Sequence, residues 1–373
     1  MKKILLVPDS FKGTLSSVRV AQVMAEAIAE RMPATEVVTL PVADGGEGSV
    51  DAFLAAVGGE RVVCPAVNPF FEEMEGFYAL IDGGKTAVIE MAACAGLPLV
   101  EDRKNPMLTT TYGVGMLMAD AIARGAEHII LGLGGSATND FGCGAAVALG
   151  ARFFDGEGHA FVPTGGTLAR VARILPPPPP GVRITLMCDV KNPTYGERGA
   201  AYVYAPQKGA SAEEVFLLDE GLRHISALTW RTLGLDVAEI AGGGAAGAMA
   251  AGMIAFFGAE VRSGIDTVLD AARFDAHLAG ADLVLTGEGR VDEQSASGKV
   301  ISGVAVRAAR CGVPVLAVAG AVEGDIAPLY DMGVTAVFSI NRRAEDFSTA
   351  RHKSEENLRV TMDNILRLLD IGG

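Results

Sequence analysis

The feature that most constrains this chain is an alternation. Short β-branched apolar runs end in Gly, Asp or Ser and give way to Ala-rich stretches with apolar residues at helical spacing. That order marks a parallel α/β sheet, where each strand returns through a helix. The runs fall at residues 3–7, 36–41, 86–90, 128–133, 183–188, 282–286, 314–319 and 335–340. Residues 16–32 form an amphipathic helix behind Ser16 and Ser17, and residues 355–369 form another behind Ser354, since hydroxyls there accept from the free N–H groups of a first turn. The proline run 176–180 cannot enter a helix and predicts a rigid surface connector. Residues 72–83 resemble a hairpin more than a βαβ unit, so the middle of the chain is not more of the same sheet. A length of 373 residues exceeds one ordinary core. The expectation is two α/β domains facing a cleft. Residues 1–65 plus 280–373 make a discontinuous, doubly wound Rossmann- or flavodoxin-like domain with a parallel sheet, and residues 66–279 make a mixed α/β domain inserted in the middle.

Composition narrows the function. Half the residues are hydrophobic, 50%, but the longest apolar run, 242–258, is mostly Gly and Ala and short of the roughly 20 lipid-facing residues of a span. The N-terminal apolar stretch after Lys2 and Lys3 is too short for a signal segment and reads as a first strand. Cys64, Cys94, Cys143, Cys188 and Cys311 are scattered without a CxxC pair, which suits a reducing cytoplasm and suggests neither a disulfide framework nor a zinc site. A net charge of -14 disfavours nucleic acid as a partner. A small anion remains compatible, if a few cations are gathered in one place, and a homo-oligomer stays open. The five histidines are isolated and no G-x-S-x-G elbow occurs, which argues against a zinc or serine hydrolase.

Open α/β sheets bind ligands at the carboxyl ends of their strands, and there the polar residues are dense. Pro8-Asp9-Ser10-Phe11-Lys12-Gly13-Thr14 leads into a helix start, where Lys12 offers a point charge to a phosphate or carboxylate. Ala43-Asp44-Gly45-Gly46-Glu47-Gly48-Ser49 combines carboxylates with glycines, and Asp44 fits Mg²⁺, which takes one or two carboxylates plus phosphate oxygens and water. Gly134-Gly135-Ser136-Ala137-Thr138-Asn139-Asp140 reads as a phosphate cradle of backbone N–H groups. Gly132, Gly134 and Ala137 also match G-x-G-x-x-A with Asp155 downstream, so an NAD(P)-dependent oxidoreductase of a small hydroxy acid is the rival, and a non-catalytic sugar-acid sensor is a second. Asp189, after its strand, is placed to take a proton from a substrate hydroxyl. Lys208 is a candidate phosphate contact. Gly287-Glu288-Gly289-Arg290-Val291-Asp292 packs acids and cations behind one strand end, with Lys299 at the next helix start. The segment is not a P-loop, because Glu293 and Val300 stand where Gly and Ser or Thr are needed.

In order along the chain, these loops and three more blocks resemble the glycerate kinase type I family. The blocks are Ile89-Glu90-Met91-Ala92, Asn105-Pro106 with Thr109-Thr110-Thr111-Tyr112-Gly113, and Pro206-Gln207-Lys208-Gly209-Ala210. The resemblance implies ATP and D-glycerate as substrates, a divalent metal, and 2-phosphoglycerate and ADP as products. On that basis Gly134, Gly135, Ser136, Thr138, Asn139 and Lys299 are candidates for ATP phosphates, and Asp44, Glu288 and Asp292 for Mg²⁺. Ser10, Lys12, Asn192, Gln207 and Lys208 are candidates for glycerate or the moving phosphoryl group, and Asp189, Lys12 and Asp44 for catalysis. Phe141, Cys143 and Val114 depart from the family pattern.

Overall fold

The computed structural model describes residues 1–43, 45–296, 299–343 and 345–370. The chain forms two compact units, one of Met1–Asp44, Asp51–Gly58 and Ser263–Gly373, the other of Gly45–Val50 and Gly59–Arg262.

The first unit is built on five parallel strands. They lie in the order Val334–Ser339, Val315–Val322, Leu283–Val291, Lys3–Pro8, Glu36–Thr39. Numbered by their sequence within the unit and read from the Glu36–Thr39 edge they run 2-1-3-4-5, the flavodoxin-type order, which reverses between Lys3–Pro8 and Leu283–Val291. Helices cover both faces, so the central strands are apolar on both sides; Ile4, Leu5, Leu6 and Val7 are all 0% exposed. Ile4, Leu6, Leu283, Leu285 and Val318 pack with helices Ser17–Arg31 and Ser354–Asp370 on one face. Ala317, Ala319 and Val291 pack with helix Val300–Arg310 on the other. Ser16 caps the first of these helices, its hydroxyl accepting from the Arg19 N–H at 3.2 Å. Leu283–Val291 continues past the end of Lys3–Pro8, since Pro8 pairs with Gly287 while Glu288, Arg290 and Val291 still pair with Ala319, Ala321 and Val322.

Helices Gly264–Ala271 and Phe274–Leu278 belong to this unit, because Gly303 lets helix Val300–Arg310 approach Ile265 closely and Arg307 ties the three together. The Arg307 guanidinium, 13% exposed, lies 2.7 Å from Asp266, 2.7 Å from Asp270 and 3.6 Å from Asp275. Burial opposes its charge, but the Asp266 and Asp270 hydrogen bonds outweigh that and raise its pKa. Arg307→Ala is expected to cost about 2 kcal/mol in urea unfolding, a modest loss because the three acids are 43% to 68% exposed; no change in midpoint would leave the helix pair held by apolar packing alone.

The second unit has a six-stranded mixed sheet. Glu260–Arg262, Arg183–Met187, His128–Gly132 and Thr86–Glu90 are parallel neighbours, and Glu73–Ile81 and Glu60–Val67 extend the sheet antiparallel. Residues 72–83 are therefore one long strand and a turn between two antiparallel partners, and not a self-contained hairpin. The partner Glu60–Val67 draws residues 59–65 into this unit, so that, apart from the short excursion of Gly45–Val50, the chain crosses at 58/59 and 262/263 where the sequence suggests 65/66 and 279/280. Arg152–Phe154, Ala160–Phe161 and Arg173–Leu175 form a small antiparallel sheet, after which the proline run leads back to Arg183–Met187. Among the described residues, no helix is long and apolar enough to cross a membrane. The Gly- and Ala-rich run near 250 is the helix Ala245–Phe257, mostly buried in the second unit.

Candidate active site

In the first unit, polar side chains collect at the carboxyl ends of Lys3–Pro8 and Leu283–Val291, where the strand order reverses. The backbones there are close. The Asp9 N–H donates to Gly287 O at 2.8 Å, and a β-carbon on Gly289 would lie 3.0 Å from Lys12 N. A side chain at 289 would push the 9–12 turn off the extended strand by a few tenths of an ångström, so glycine suits this close approach. Phe11, 2% exposed, anchors the turn and leaves Lys12 at the surface. Ser10 is partly exposed, its N–H donating to Asp9 Oδ1 at 2.6 Å.

Glu288 is the buried acid of this group, 5% exposed, and Ser295 Oγ donates to its Oε1. Burial pushes its carboxyl above the usual range, the Ser295 hydrogen bond and the charges of Lys299 and Lys12 pull it down, and Asp292 pushes it up. Lys299, N-cap of helix Val300–Arg310, has its Nζ 3.7 Å from Asp292 Oδ1, and Arg290 lies 3.4 Å from Asp292. Ser10, Lys12, Glu288, Asp292 and Lys299 thus share one strand-end cluster. Asp9 and Ser295 belong with it; a carboxylate directly after a strand was the available signal for Asp9, whereas nothing local marks Ser295.

Among the described residues no group of three His, Cys, Asp or Glu side chains could hold a metal. Glu288 and Asp292 supply two hard-oxygen carboxylates near Lys12 and Lys299, which fits an ion that relies on phosphate and water for its other ligands and not an all-protein cage. Asp44 lies outside the described residues.

The second unit holds the other candidates. The 134–139 loop follows His128–Gly132, and its glycines answer first to packing. A β-carbon on Gly132 would sit 2.4 Å from Gly45 O, and one on Gly134 would sit 2.6 Å from the Gly46 α-carbon. The Gly134 N–H is already donated to Gly45 O at 3.0 Å, so it does not point at a ligand. Gly135 adopts φ 72°, a left-handed conformation suited to glycine. Glu90, 2% exposed, accepts from Gly48 N at 2.9 Å and Val50 N at 3.1 Å, which holds the 45–50 segment in place.

Behind the loop, Asp140 is fully buried and accepts from Thr111 N and Oγ1, both at 2.8 Å, from Gly142 N at 3.1 Å and from Gly144 N at 3.2 Å. Burial raises its pKa, and those donors pull the other way. Lys208 is 1% exposed and donates to Ser136 Oγ at 2.8 Å and to Thr138 O at 2.7 Å. It is an interior group, where the sequence offers it as a phosphate contact. Thr138 Oγ1 and both amide atoms of Asn139 are buried with no hydrogen-bond partner among the described residues.

Asp189 is exposed, two residues beyond Arg183–Met187. Asn192 is committed locally: its Nδ2 donates to Arg198 O at 2.7 Å and its Oδ1 accepts from the Tyr204 hydroxyl at 2.6 Å. Gln207 is exposed in the short 3-10 turn Pro206–Lys208. Phe141, Cys143 and Val114 are core residues, each 0% exposed.

The dinucleotide fingerprint fails on topology. Helix Cys143–Ala148 leads into Arg152–Phe154, a strand of the small antiparallel sheet, so no parallel βαβ crossover encloses the loop. Asp155 instead closes a turn, accepting from Glu157 N and His159 N.

A family model described as the glycerate kinase family matches residues 4–370. A glycerate kinase of Bacillus cereus is 42% identical over 368 residues, covering 97% of each chain. A glycerate 2-kinase of Escherichia coli is 40% identical over 375 residues, covering 99% of this chain and 98% of the relative. The crystal structure of a Salmonella typhimurium LT2 protein described as a glycerate kinase 2 superposes with a TM-score of 0.87 at 41% identity, covering 100% of this chain and 99% of the other.

Proposed function

The chain belongs to the glycerate kinase family, and from that membership we propose that it transfers a phosphoryl group from ATP to the 2-hydroxyl of D-glycerate, giving 2-phosphoglycerate and ADP. The observation that carries this reading is the strand-end cluster of the first unit. It gathers Lys12 and Lys299 with Glu288 and Asp292 at the ligand-binding edge of a doubly wound sheet. Phosphoryl transfer asks a protein for charge neutralisation and alignment more than for covalent chemistry, and that cluster offers both. The choice of the 2-hydroxyl is supported by the name of the Escherichia coli relative.

Lys12 meets the moving phosphoryl group or the glycerate carboxylate, and Ser10 adds a hydroxyl donor. Lys299 neutralises a further phosphate oxygen. Glu288 and Asp292, with Asp44, are the residues that would hold Mg²⁺, which when bound neutralises charge on the phosphates. Asp189 orients the attacking hydroxyl and takes its proton. Ser136, Thr138 and Asn139 contact an anionic substrate through side chains, since the Gly134 N–H is engaged with Gly45 O.

The test is ADP release coupled to a reporter over a panel of small hydroxy acids, with an enolase-coupled arm that contains no mutase. Glycerate-dependent ADP release with direct enolase signal is the expected result. Glycerate binding without turnover would instead indicate a sensor, and stabilisation by NAD(P) with none by Mg-ATP would restore the oxidoreductase.

A further inference from the structure

Lys208 is a fully buried amine whose interior position has no compensating acid at contact distance. Among the described residues it makes no ion pair within 4 Å, and its two acceptors are the Ser136 hydroxyl and the Thr138 carbonyl, 2.8 and 2.7 Å away. A hydrogen bond to a hydroxyl and a carbonyl could be made by a neutral amide at far lower desolvation cost. The group that sits there is one that carries a proton and can lose it. The same turn carries buried polar atoms on Thr138 and Asn139 that have no partner among the described residues, so it presents more hydrogen-bonding capacity than those residues use.

We propose that Lys208 is a positioning residue: its ammonium donates into Ser136 Oγ, which obliges the Ser136 hydroxyl to give its own proton to an anionic oxygen of the bound substrate. The proposal rests on the reading of the 134–139 loop as a substrate-binding loop. A serine hydroxyl has one proton and two lone pairs. With Lys208 charged, one lone pair is taken from inside and the proton is turned outward. With Lys208 neutral, its lone pair accepts from Ser136, the proton turns inward, and a substrate oxygen meets a lone pair.

The surroundings set the pH at which this occurs. Burial holds Lys208 down to about 7, and the charge of Asp140 works against that fall. Cys143, which senses the same carboxylate, stays a thiol because burial holds it far above the usual range. Lys104 borders the Lys208 turn at Gly209 through its backbone and β-carbon. The linkage has a definite sign. A lysine depressed on folding destabilises the fold below its folded pKa, and stability is regained as pH rises from about 7 toward the unfolded value near 10.5. Wild-type protein should therefore gain stability over Lys208→Met between those limits.

The test measures KM for glycerate and for ATP separately from pH 6 to 8.5, in wild type, Ser136→Ala and Lys208→Met, because a carboxylate and a phosphate are equally suited to the Ser136 donor. One of the two KM values is expected to rise about tenfold with pH in wild type while kcat stays nearly level, as loss of one charge-relayed hydrogen bond implies. That rise should vanish in Ser136→Ala, whose KM is already high at pH 6, and in Lys208→Met. A flat wild-type profile, or a Ser136→Ala profile that keeps the rise, overturns the proposal even if Lys208→Met fails to fold. Wild-type turnover at pH 6 tests the kinase reading independently. If turnover is absent, the same pH series read as thermal stabilisation by inorganic phosphate and by glycerate decides on Lys208, with the same pattern expected.

Discussion

Lys12→Met is expected to lower kcat/KM for glycerate phosphorylation by on the order of 10³ to 10⁵, the range associated with a cation that stabilises charge on a transferring phosphoryl group. The backbone that carries Lys12 is fixed by Phe11, 2% exposed, and by the contact of the turn with Gly289. The side chain beyond it is exposed. Methionine keeps most of the aliphatic stem and removes the charge, so the melting temperature should hold while turnover falls. A second readout follows from Glu288. Burial already raises its carboxyl and Lys12 helps restrain it, so removing Lys12 lets it rise further, and the acid limb of the pH–rate profile should move to higher pH in the residual activity. Near-normal kinetics with an unmoved acid limb would return Lys12 to the role of an ordinary surface lysine.

Most of the parallel strands were legible because each is an apolar β-branched run of five or six residues that ends at a turn residue, a purely local signal. The strand at 283–291 was read short. Its last residues, Glu288 to Val291, run past the end of Lys3–Pro8, and charged residues on such an overhang look like a loop although the pairing with 319–322 continues. Glu60–Val67 was missed as a strand because its alternation is interrupted by charge and a proline, and its place is set by Glu73–Ile81, a tertiary partner. The candidate site divides in the same way. Strand-end polar residues such as Lys12, Glu288 and Asp189 are visible from position alone. The burial of Lys208 and the packing reason for Gly132 and Gly134 depend on what other segments place against them, and no spacing rule encodes that. A glycine that admits a neighbouring backbone and one that admits a phosphate leave the same letter in the sequence.

The second large effect is expected at Asp189, where the local backbone makes Asp189→Asn a clean test. The end of its strand is tied on both sides: Leu133 N donates to Met187 O at 3.4 Å and Cys188 N donates to Arg262 O at 3.0 Å. The Cys188 thiol donates to Val190 O at 3.5 Å, and its pKa is pushed up to about 11 by burial first and also by the Asp189 charge, so it does not compete as a base near neutrality. The 189 side chain itself is exposed, and asparagine matches aspartate in shape, so the fold should be unaffected. What asparagine lacks is a site for a proton. A positioned base contributes about 10² to 10⁴ in rate, and kcat should fall by that factor with KM for ATP nearly unchanged. Because the lost function is proton acceptance, the histidine substitution Asp189→His, which restores a basic site, should recover more of kcat than Asp189→Asn. An Asp189→Asn variant that keeps wild-type kcat excludes Asp189 as the base; equal loss in both variants assigns it to orienting the hydroxyl and leaves the proton to be taken by another group.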